Sequence, residues 1–164
     1  MQIHGLLNQF PKEIKSLIFV FVIVLSIGFY GGLSFVNTTT SMNVSGIETN
    51  YLGNESDEEA EVMKFKKSKR EILTIVHNHI LSMSVIFFLL SLLLSTTSIN
   101  KKFKYFLMIE PFISVLLTFG GIYFLWSGIL WFKYIIILSG LFMTFSFVVS
   151  SLIILFQILF YRRT

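Results

Sequence analysis

Residues 72–96 read ILTIVHNHILSMSVIFFLLSLLLST and contain no Asp, Glu, Lys or Arg. An α-helix needs about 20 such residues to cross a hydrocarbon core about 30 Å thick. Apolar side chains occupy every side of the segment and do not alternate with polar ones, so a membrane helix is favoured over a strand of a β-barrel. The segment therefore predicts a helix that spans a lipid bilayer.

Three further apolar segments of sufficient length flank this one, at residues 16–36, 105–126 and 131–161. Together with residues 72–96, they predict an all-α protein, an integral membrane four-helix bundle with four transmembrane helices. In this interpretation the whole chain, residues 1–164, forms a single membrane domain. Its one long connection is a polar loop over residues 37–70.

The composition agrees with lipid as the main solvent. Hydrophobic residues make up 54% of the chain and charged residues 13%, and the mean hydropathy is +0.78. Soluble domains contain about 25% charged residues, so a chain of this length could not bury its apolar surface without a bilayer. The net charge of +4 lies on the flanks of the spans. No basic face is interleaved with exposed aromatic residues, so we expect no nucleic-acid partner.

The chain contains no cysteine, which excludes disulfides, thiolate zinc sites and iron–sulfur clusters. A metal would depend on His, Met, Tyr or carboxylate ligands. The sequence also lacks a phosphate-binding glycine loop, the G-x-S-x-G turn of hydrolases and the H-E-x-x-H motif of zinc proteases. These absences favour a non-enzymatic protein.

The polar loop divides into two parts of different composition. Residues 37–54 are rich in Ser, Thr, Asn and Gly, which predicts turns or disorder. Residues 56–71 change from acidic to basic, which predicts a solvated helix, with a strip that binds anionic lipid headgroups as the alternative. Lys and Arg are nearly balanced between the two sides of the membrane. The long, partly acidic loop nevertheless favours export of that loop, with both termini cytoplasmic.

Small residues in the spans predict where helices pack, because close backbone approach replaces the hydrophobic effect inside a bilayer. Gly28 and Gly32 form a G-x-x-x-G pair in the first span. They predict either packing within the bundle or a face for a homo-oligomer. The other predicted packing positions are Gly120, Gly121, Ser139, Ser146 and Ser150.

His77 and His79 lie inside the second predicted span, where ionisable groups are costly and mark functional sites. At ~1.5 Å per residue, they are about 8–10 Å from the start of that span at Ile72. Residues two apart differ by about 200° around a helix, so both can ligate one metal only if the helix is locally unwound. Met83 follows His79 by one turn, and imidazole with thioether suits copper or the iron of haem b.

Three interpretations of the two histidines remain open. In the first, they form hydrogen bonds to the first loop or to neighbouring helices. In the second, they bind metal or haem together with Met83. In the third, they take part in proton transfer or contact a quinone. The adjacent Asn78 can also hydrogen-bond across helices, which would make the whole turn a packing element.

Glu110 is the one acidic residue inside the four predicted spans. It lies near the membrane surface opposite to the histidines, because the second and third spans run antiparallel. In one interpretation its side chain extends toward Lys101, Lys102 and Lys104. In the other it is a buried carboxylate that hydrogen-bonds the first or the fourth span.

The segment GIETNYLG, followed by KFKKSKREILTIVHNH and a long apolar helix, resembles a pattern in small bacterial inner-membrane proteins of unassigned function. Those proteins have four helices and an H-x-H at the start of the second span. The resemblance covers the middle of the chain. It implies a bacterial inner membrane, a four-helix bundle, and His77 and His79 as the positions of interest, and it supplies no activity.

The leading functional hypothesis is a small non-enzymatic protein of the lipid bilayer, an accessory subunit of a larger membrane complex. The alternative is a haem- or copper-binding redox or metal-handling protein that uses His77 and His79. A proton-coupled transporter ranks third, because four helices with few polar groups near the midplane offer little to line a path.

Overall fold

The structure, a computed structural model, describes residues 5–55 and 62–160. Within these ranges the chain forms a short 3-10 helix, Leu6–Gln9, and six α-helices, with no strand. The helices are α1 (Lys12–Thr40), α2 (Val44–Leu52), α3 (Lys69–Ser95), α4 (Lys101–Val115), α5 (Gly121–Trp126) and α6 (Phe132–Phe160). One turn of π-helix, Leu116–Gly120, joins α4 to α5 without a break.

Four helical segments are long and apolar enough to cross a membrane: α1, α3, the continuous α4–α5 segment and α6. The predicted all-α fold with four membrane-spanning helices is confirmed. Because the connection between α3 and α4 is short, these two spans return antiparallel to each other.

The core lies where α3, α4–α5 and α6 pack against one another. Phe87 and Leu90 of α3, Leu107 of α4 and Ile154 of α6 are almost completely buried. The buried stripe of α6 also carries four serines, at positions 139, 146, 150 and 151. Small side chains let two backbones approach closely, and this stabilises helix contacts where lipid replaces water.

The packing of α1 is the loosest of the four spans. Only 11% of its apolar window is buried, and no residue from 23 to 39 is buried. Phe29 stacks on Phe147 of α6 with ring centroids 3.9 Å apart, and Phe87 of α3 meets the same ring edge-on at 6.3 Å. Phe147 therefore holds α1 near the middle of the bundle while most of the surface of α1 faces outward.

The first span is longer than predicted, because polar residues continue the helix beyond the apolar segment. It begins at Lys12 and ends at Thr40 rather than covering residues 16–36. The hydroxyls of Thr38, Thr39 and Thr40 donate to carbonyl oxygens one turn earlier in the helix. These hydrogen bonds satisfy the threonines locally, so they are tolerated at the end of the span.

The third span also begins earlier than predicted, at Lys101, because the side chain of Asn100 accepts hydrogen bonds from the first helical N–H groups. The end of the bundle where α3 stops and α4 starts is here called the α4 end. There the Lys104 ammonium donates to the carbonyl oxygens of Ser95 at 3.0 Å and Thr97 at 2.5 Å. The cation thus satisfies carbonyl groups that the end of α3 leaves without helical partners.

The prediction of turns or disorder over residues 37–54 is wrong, because α2 lies there. Asn43 starts α2 by accepting a hydrogen bond from the Gly46 N–H at 2.7 Å, and Ile47 is buried against the bundle. Gly53 ends the helix with a φ of +81°, a conformation that glycine adopts without strain. Composition did not indicate that a few docked side chains, Ile47 foremost, would organise this polar segment.

The helix predicted over residues 56–71 is largely not found. Residues 62–68 are irregular and α3 begins at Lys69, while residues 56–61 lie outside the described part of the chain. Tyr161, the last residue of the predicted fourth span, also lies outside the described residues.

The loop that contains α2 covers the opposite end of the bundle, here called the α2 end. The Trp126 indole N–H donates to the Lys67 carbonyl at 2.7 Å, and the Lys66 ammonium lies 5.4 Å from the centre of the Trp126 ring. Lys133 at the start of α6 pairs with Glu48 of α2 at 2.6 Å. The loop is therefore tied to α5 and α6.

We expect Gly121→Leu to destabilise the bundle by about 1–3 kcal/mol, because a Cβ atom there would lie 3.0 Å from Cγ1 of Ile136 on α6. Gly120→Leu is the matched control, since an added Cβ at Gly120 would meet no atom within 4 Å. Thermal unfolding in detergent, followed by circular dichroism, measures the difference. Equal melting temperatures for the two variants would contradict the close packing of α5 on α6.

A second prediction concerns Tyr51 of α2, because burial raises the pKa of its hydroxyl from the ordinary value of 10.0 to about 12. The unfolded chain loses this proton at a lower pH than the docked helix does. Docking of α2 should therefore weaken as the pH rises from 10.0 to about 12. Trp126 fluorescence in a Trp131→Phe background measures docking.

Tyr51→Phe should make the loss of docking less steep over this pH range, because phenylalanine has no proton to lose. Tyr105→Phe is the control, since the Tyr105 side chain is exposed. If docking of the Tyr51→Phe variant has the same pH dependence as docking of the control, docking does not depend on the proton of the Tyr51 hydroxyl. The prediction would then be wrong.

Candidate functional site

The start of α3 determines where the two histidines lie. Ser68 accepts a hydrogen bond from the Glu71 N–H, and the Glu71 carboxylate accepts one from the Ser68 N–H, so a capping box begins the helix. His77, Asn78 and His79 therefore lie in a regular helix, and all three are exposed. The unwinding that a shared metal would require does not occur at this turn.

His79 makes two contacts. Its Nδ1 atom lies 2.8 Å from the carbonyl oxygen of Ile75, and because a carbonyl can only accept, Nδ1 carries the proton. The ring stacks on Phe119 of the π-helical turn with centroids 4.6 Å apart. In the neutral ring, Nε2 remains as the acceptor atom.

The histidines and Met83 do not form one ligand set. His77 and His79 project from α3 in directions about 200° apart, and Met83 packs against the core. Within residues 5–55 and 62–160, no group of three or more His, Asp or Glu side chains could hold a metal ion. The regular helix therefore does not place the rings of both His77 and His79 at one copper or haem centre.

The first half of α3 is thinly packed, although it carries the most polar residues of the span. No residue from 73 to 86 is buried, whereas Phe87, Leu90 and Leu94 are. A shallow, nearly flat groove, lined by side chains of α3 alone, lies along this half. The groove is here called the α3 groove, and its lining residues are Asn78, Leu81, Ser82, Val85 and Ile86.

Asn78 is the polar group that the α3 groove offers. The Ser82 hydroxyl donates to the backbone carbonyl of Asn78 at 2.7 Å, so Ser82 is satisfied within α3. The Asn78 side-chain amide forms no hydrogen bond with any other residue that the structure describes. Its donors and its acceptor are therefore available on the outer surface of the span.

The glycines of α1 also lie in open space. A Cβ atom added at Gly28, Gly31 or Gly32 would meet no atom within 4 Å. The packing within the bundle that Gly28 and Gly32 predict is therefore not found among the described residues. Phe29, which lies between them in sequence, makes the contact with α6 instead.

Glu110 lies at the interface between α4 and α6. One carboxyl oxygen accepts a hydrogen bond from the Ser114 hydroxyl in α4, and the other accepts one from the Ser146 hydroxyl in α6. Ser146 is completely buried. Of the two interpretations of Glu110, the structure supports the one in which the carboxyl bonds the fourth span.

A second hydroxyl pair lies farther along the same interface. Thr118, in the π-helical turn, and Ser139 of α6 are buried, and their hydroxyl oxygens are 2.7 Å apart. Because the Ser139 hydroxyl donates to the carbonyl of Ile135 at 2.7 Å, Thr118 is the donor in the pair. The two polar contacts show that α4 and α6 run antiparallel in a single register.

The remaining predicted packing residues differ in their surroundings. Gly121 faces Ile136 closely, whereas Gly120 has open space beside it. Ser150 is buried on α6, one turn beyond Ser146. The structure therefore brings Ser139, Ser146 and Ser150 to one buried stripe, which their spacing predicts.

Sequence reasoning missed Ser114, Thr118 and Phe119. Ser114 and Thr118 follow Glu110 at intervals of four residues, which places the three side chains on one helix face and is a readable signal. No sequence pattern predicts the contact of Phe119 with His79, because it depends on how α3 packs against the π-helical turn.

We expect Ser146→Ala to destabilise the protein by about 1–3 kcal/mol, because it removes the hydrogen-bond donor that α6 provides to Glu110. Thr144→Ala is the control, since the Thr144 hydroxyl bonds the Gly140 carbonyl of its own helix at 2.9 Å. Unfolding of both variants in detergent gives the comparison. If Ser146→Ala costs no more than the control, the contact does not hold α4 against α6.

A family sequence model described as a transmembrane helical domain matches residues 41–164. The match begins directly after α1 and includes α2 through α6. Searches of the curated proteins and of the solved structures each found no match. Because the match covers more than half of the chain and the fold contains four apolar spans, this multi-pass membrane protein belongs to the Aq_1264_TM family of transmembrane helical domains.

Proposed function

We propose that the protein is a non-enzymatic subunit of a larger membrane assembly, and that a transmembrane helix of its partner lies in the α3 groove. The observation that carries the proposal is the exposure of His77, Asn78 and His79 inside a membrane span. Polar side chains within spans usually face a bundle interior or a water-filled cavity. Here all three are exposed, although the His79 ring also stacks on Phe119. Asn78 lines the α3 groove, so a further helix would complete its surroundings.

Asn78 favours a helix over a lipid tail as the occupant of the groove. Its amide needs both an acceptor and a donor, and a hydrocarbon tail supplies neither. Asn78 lies about 9 Å beyond Ile72, where the apolar segment begins, and Ile86 lies about 21 Å beyond it. The groove therefore extends past the middle of a hydrocarbon core about 30 Å thick, beyond the reach of headgroups.

The lining of the groove defines the chemistry of the partner helix. Leu81, Val85 and Ile86 supply apolar contacts, and Asn78 supplies hydrogen-bonding groups. A fitting helix would present small residues that allow close approach and one hydrogen-bonding side chain at the level of Asn78.

The glycines of α1 also support the proposal, because they lie at about the same depth in the membrane as Asn78. Gly28 and Gly32 lie about 12–18 Å before the end of α1 at Thr40, and Asn78 lies about 13 Å after the start of α3 at Lys69. Both helix ends are at the α2 end of the bundle. The open glycine face would let a second helix, from the partner or from another copy of the chain, approach closely.

Orientation is part of the proposal, with both termini on the cytoplasmic side of a bacterial inner membrane. This places the α4 end in the cytoplasm, and several lysines flank the spans there. Three lysines at the α2 end have structural partners: Lys64 bonds the Thr39 carbonyl, Lys66 lies over Trp126 and Lys133 pairs with Glu48. In this orientation these three lysines lie on the exported side, where the positive-inside rule expects few cations. Their structural contacts give a reason for their presence there.

Because the chain contains no cysteine, a single introduced cysteine can carry a photo-crosslinker at one known position. We expect Ser82→Cys, in the α3 groove, to give one discrete protein adduct in native membranes. Leu141→Cys on α6 is the control, since residue 141 is 64% exposed and lies outside the groove. It should give lipid adducts.

Asn78→Leu, combined with Ser82→Cys, should reduce the protein adduct about 3- to 30-fold, corresponding to a helix–helix hydrogen bond of about 0.6–2 kcal/mol. An adduct with the mass of two copies of the chain would identify the partner as the protein itself. Lipid adducts alone at both cysteine positions would contradict the proposal.

A further inference from the structure

Glu110 is surrounded by groups that can hydrogen-bond either protonation state of its carboxyl. The hydroxyls of Ser114 and Ser146 each contact one carboxyl oxygen. A hydroxyl is both a donor and an acceptor. When the carboxyl is ionised, both hydroxyls donate to it, and when it is protonated, one hydroxyl accepts from the new O–H. Neither state leaves a buried polar atom without a partner.

The neighbouring helices provide no cation beside this carboxyl among the described residues. On α6 the charged residue is Lys133, which pairs with Glu48 at the α2 end. The titratable residues of α3 also lie toward the α2 end: Lys69, Arg70, Glu71, His77 and His79. The groups of α3 and α6 near Glu110 are apolar or hydroxyl side chains, including Ser91, which donates to the Met108 carbonyl.

The helix that carries Glu110 has its own titratable groups, and they lie nearer the membrane surface. Lys101, Lys102 and Lys104 precede Glu110 by about 9–13 Å along the helix axis, and Tyr105 is exposed. Lys104 donates to carbonyl oxygens at the end of α3. The nearest polar partners of the Glu110 carboxyl in the described structure are therefore the two neutral hydroxyls of Ser114 and Ser146.

The helical hydrogen bonding departs from the α-helical pattern on both sides of the carboxyl. Pro111 has no N–H, so the carbonyl of Leu107, a residue with 1% exposure, cannot accept the usual helical hydrogen bond from residue 111. Beyond Ser114 comes the π-helical turn Leu116–Gly120. Such turns and interrupted membrane helices recur at functional sites, including the ion-binding sites of transporters.

We propose that Glu110, with Ser114 and Ser146, forms a reversible proton-binding site inside the membrane. The Glu110 carboxylate takes up one proton from the α4 end and becomes a carboxylic acid, and it releases the same proton to that end. One O–H bond forms or breaks, and no other atom is exchanged. A metal cation fits less well, because both carboxyl oxygens are already in direct contact with hydroxyls.

The site binds a proton without conducting it across the bundle. The next hydroxyl pair, Thr118 with Ser139, lies about 12 Å farther along α4, and the buried Met143 separates Ser139 from Ser146 on α6. No chain of hydrogen bonds joins the two pairs in the described structure. The site also does not depend on the partner proposed for the α3 groove, because that groove lies toward the α2 end.

The test is the infrared difference spectrum of the protein in lipid vesicles as the pH is changed. We expect a carbonyl band of a protonated carboxyl to appear on acidification. Glu110→Gln should remove the component of this band that belongs to Glu110, whereas the control Glu13→Gln, at the exposed start of α1, should retain that component. Ser146→Ala should shift the band to higher frequency, because the carbonyl loses a hydrogen bond.

Labelling of the unaltered protein gives a second measurement that does not depend on the folding of variants. Dicyclohexylcarbodiimide enters lipid and reacts with protonated carboxyl groups, and mass spectrometry of the labelled peptides locates the product. We expect labelling of Glu110 that decreases as the pH rises. A Glu110 that shows neither a pH-dependent band nor pH-dependent labelling would overturn the proposal.

Discussion

The hydrogen bonds between α4 and α6 are the interactions on which the rest of the bundle depends. Inside a bilayer no water competes for polar groups, so those that lie between packed helices bond to one another. Glu110 finds Ser146, and Thr118 finds Ser139, and both contacts require the same antiparallel register. Apolar contacts tolerate a shift by one turn, whereas these polar contacts do not. The register in turn brings Gly121 against Ile136.

Packing is dense near the α4 end of the bundle and sparse toward the α2 end. Near the α4 end, α3, α4 and α6 enclose buried side chains such as Leu94, Leu107 and Ile154. Toward the α2 end, long stretches of α1 and α3 contain no buried residue. The loop with α2 covers the end of the bundle there but leaves the sides of these two helices open. The closed half suits a half-buried acid that bonds two hydroxyls, and the open half suits a partner.

The class of fold could be read from the sequence, because hydropathy over about 20 residues directly reflects transfer into a bilayer. The helix boundaries could be predicted less well, since α1 begins at Lys12 and α4 at Lys101, several residues before the apolar segments begin. The helix α2 was missed for a related reason. The buried Ile47, the partly buried Tyr51 and a cap at Asn43 help to stabilise it, and a compositional average over a polar segment does not detect so few residues.

The candidate sites were predictable to different degrees. The cost of ionisable groups in lipid singled out Glu110 and the two histidines, and helix periodicity placed His77 and His79 on different sides of α3. Periodicity could also have placed Ser114 beside Glu110. It could not have shown that Gly28 and Gly32 face open space, because two helices of one chain and helices of two chains use the same small-residue pattern.

The sequence by itself determined that this chain spans a membrane four times and that a few polar residues lie inside the spans, because both properties are local. Only the tertiary structure decided which of those residues are enclosed. Glu110 reaches Ser146 across 36 residues of chain, whereas Asn78 is left on an outer surface. Enclosure depends on which helix faces which, and that follows from the register of contacts between distant segments rather than from any one segment.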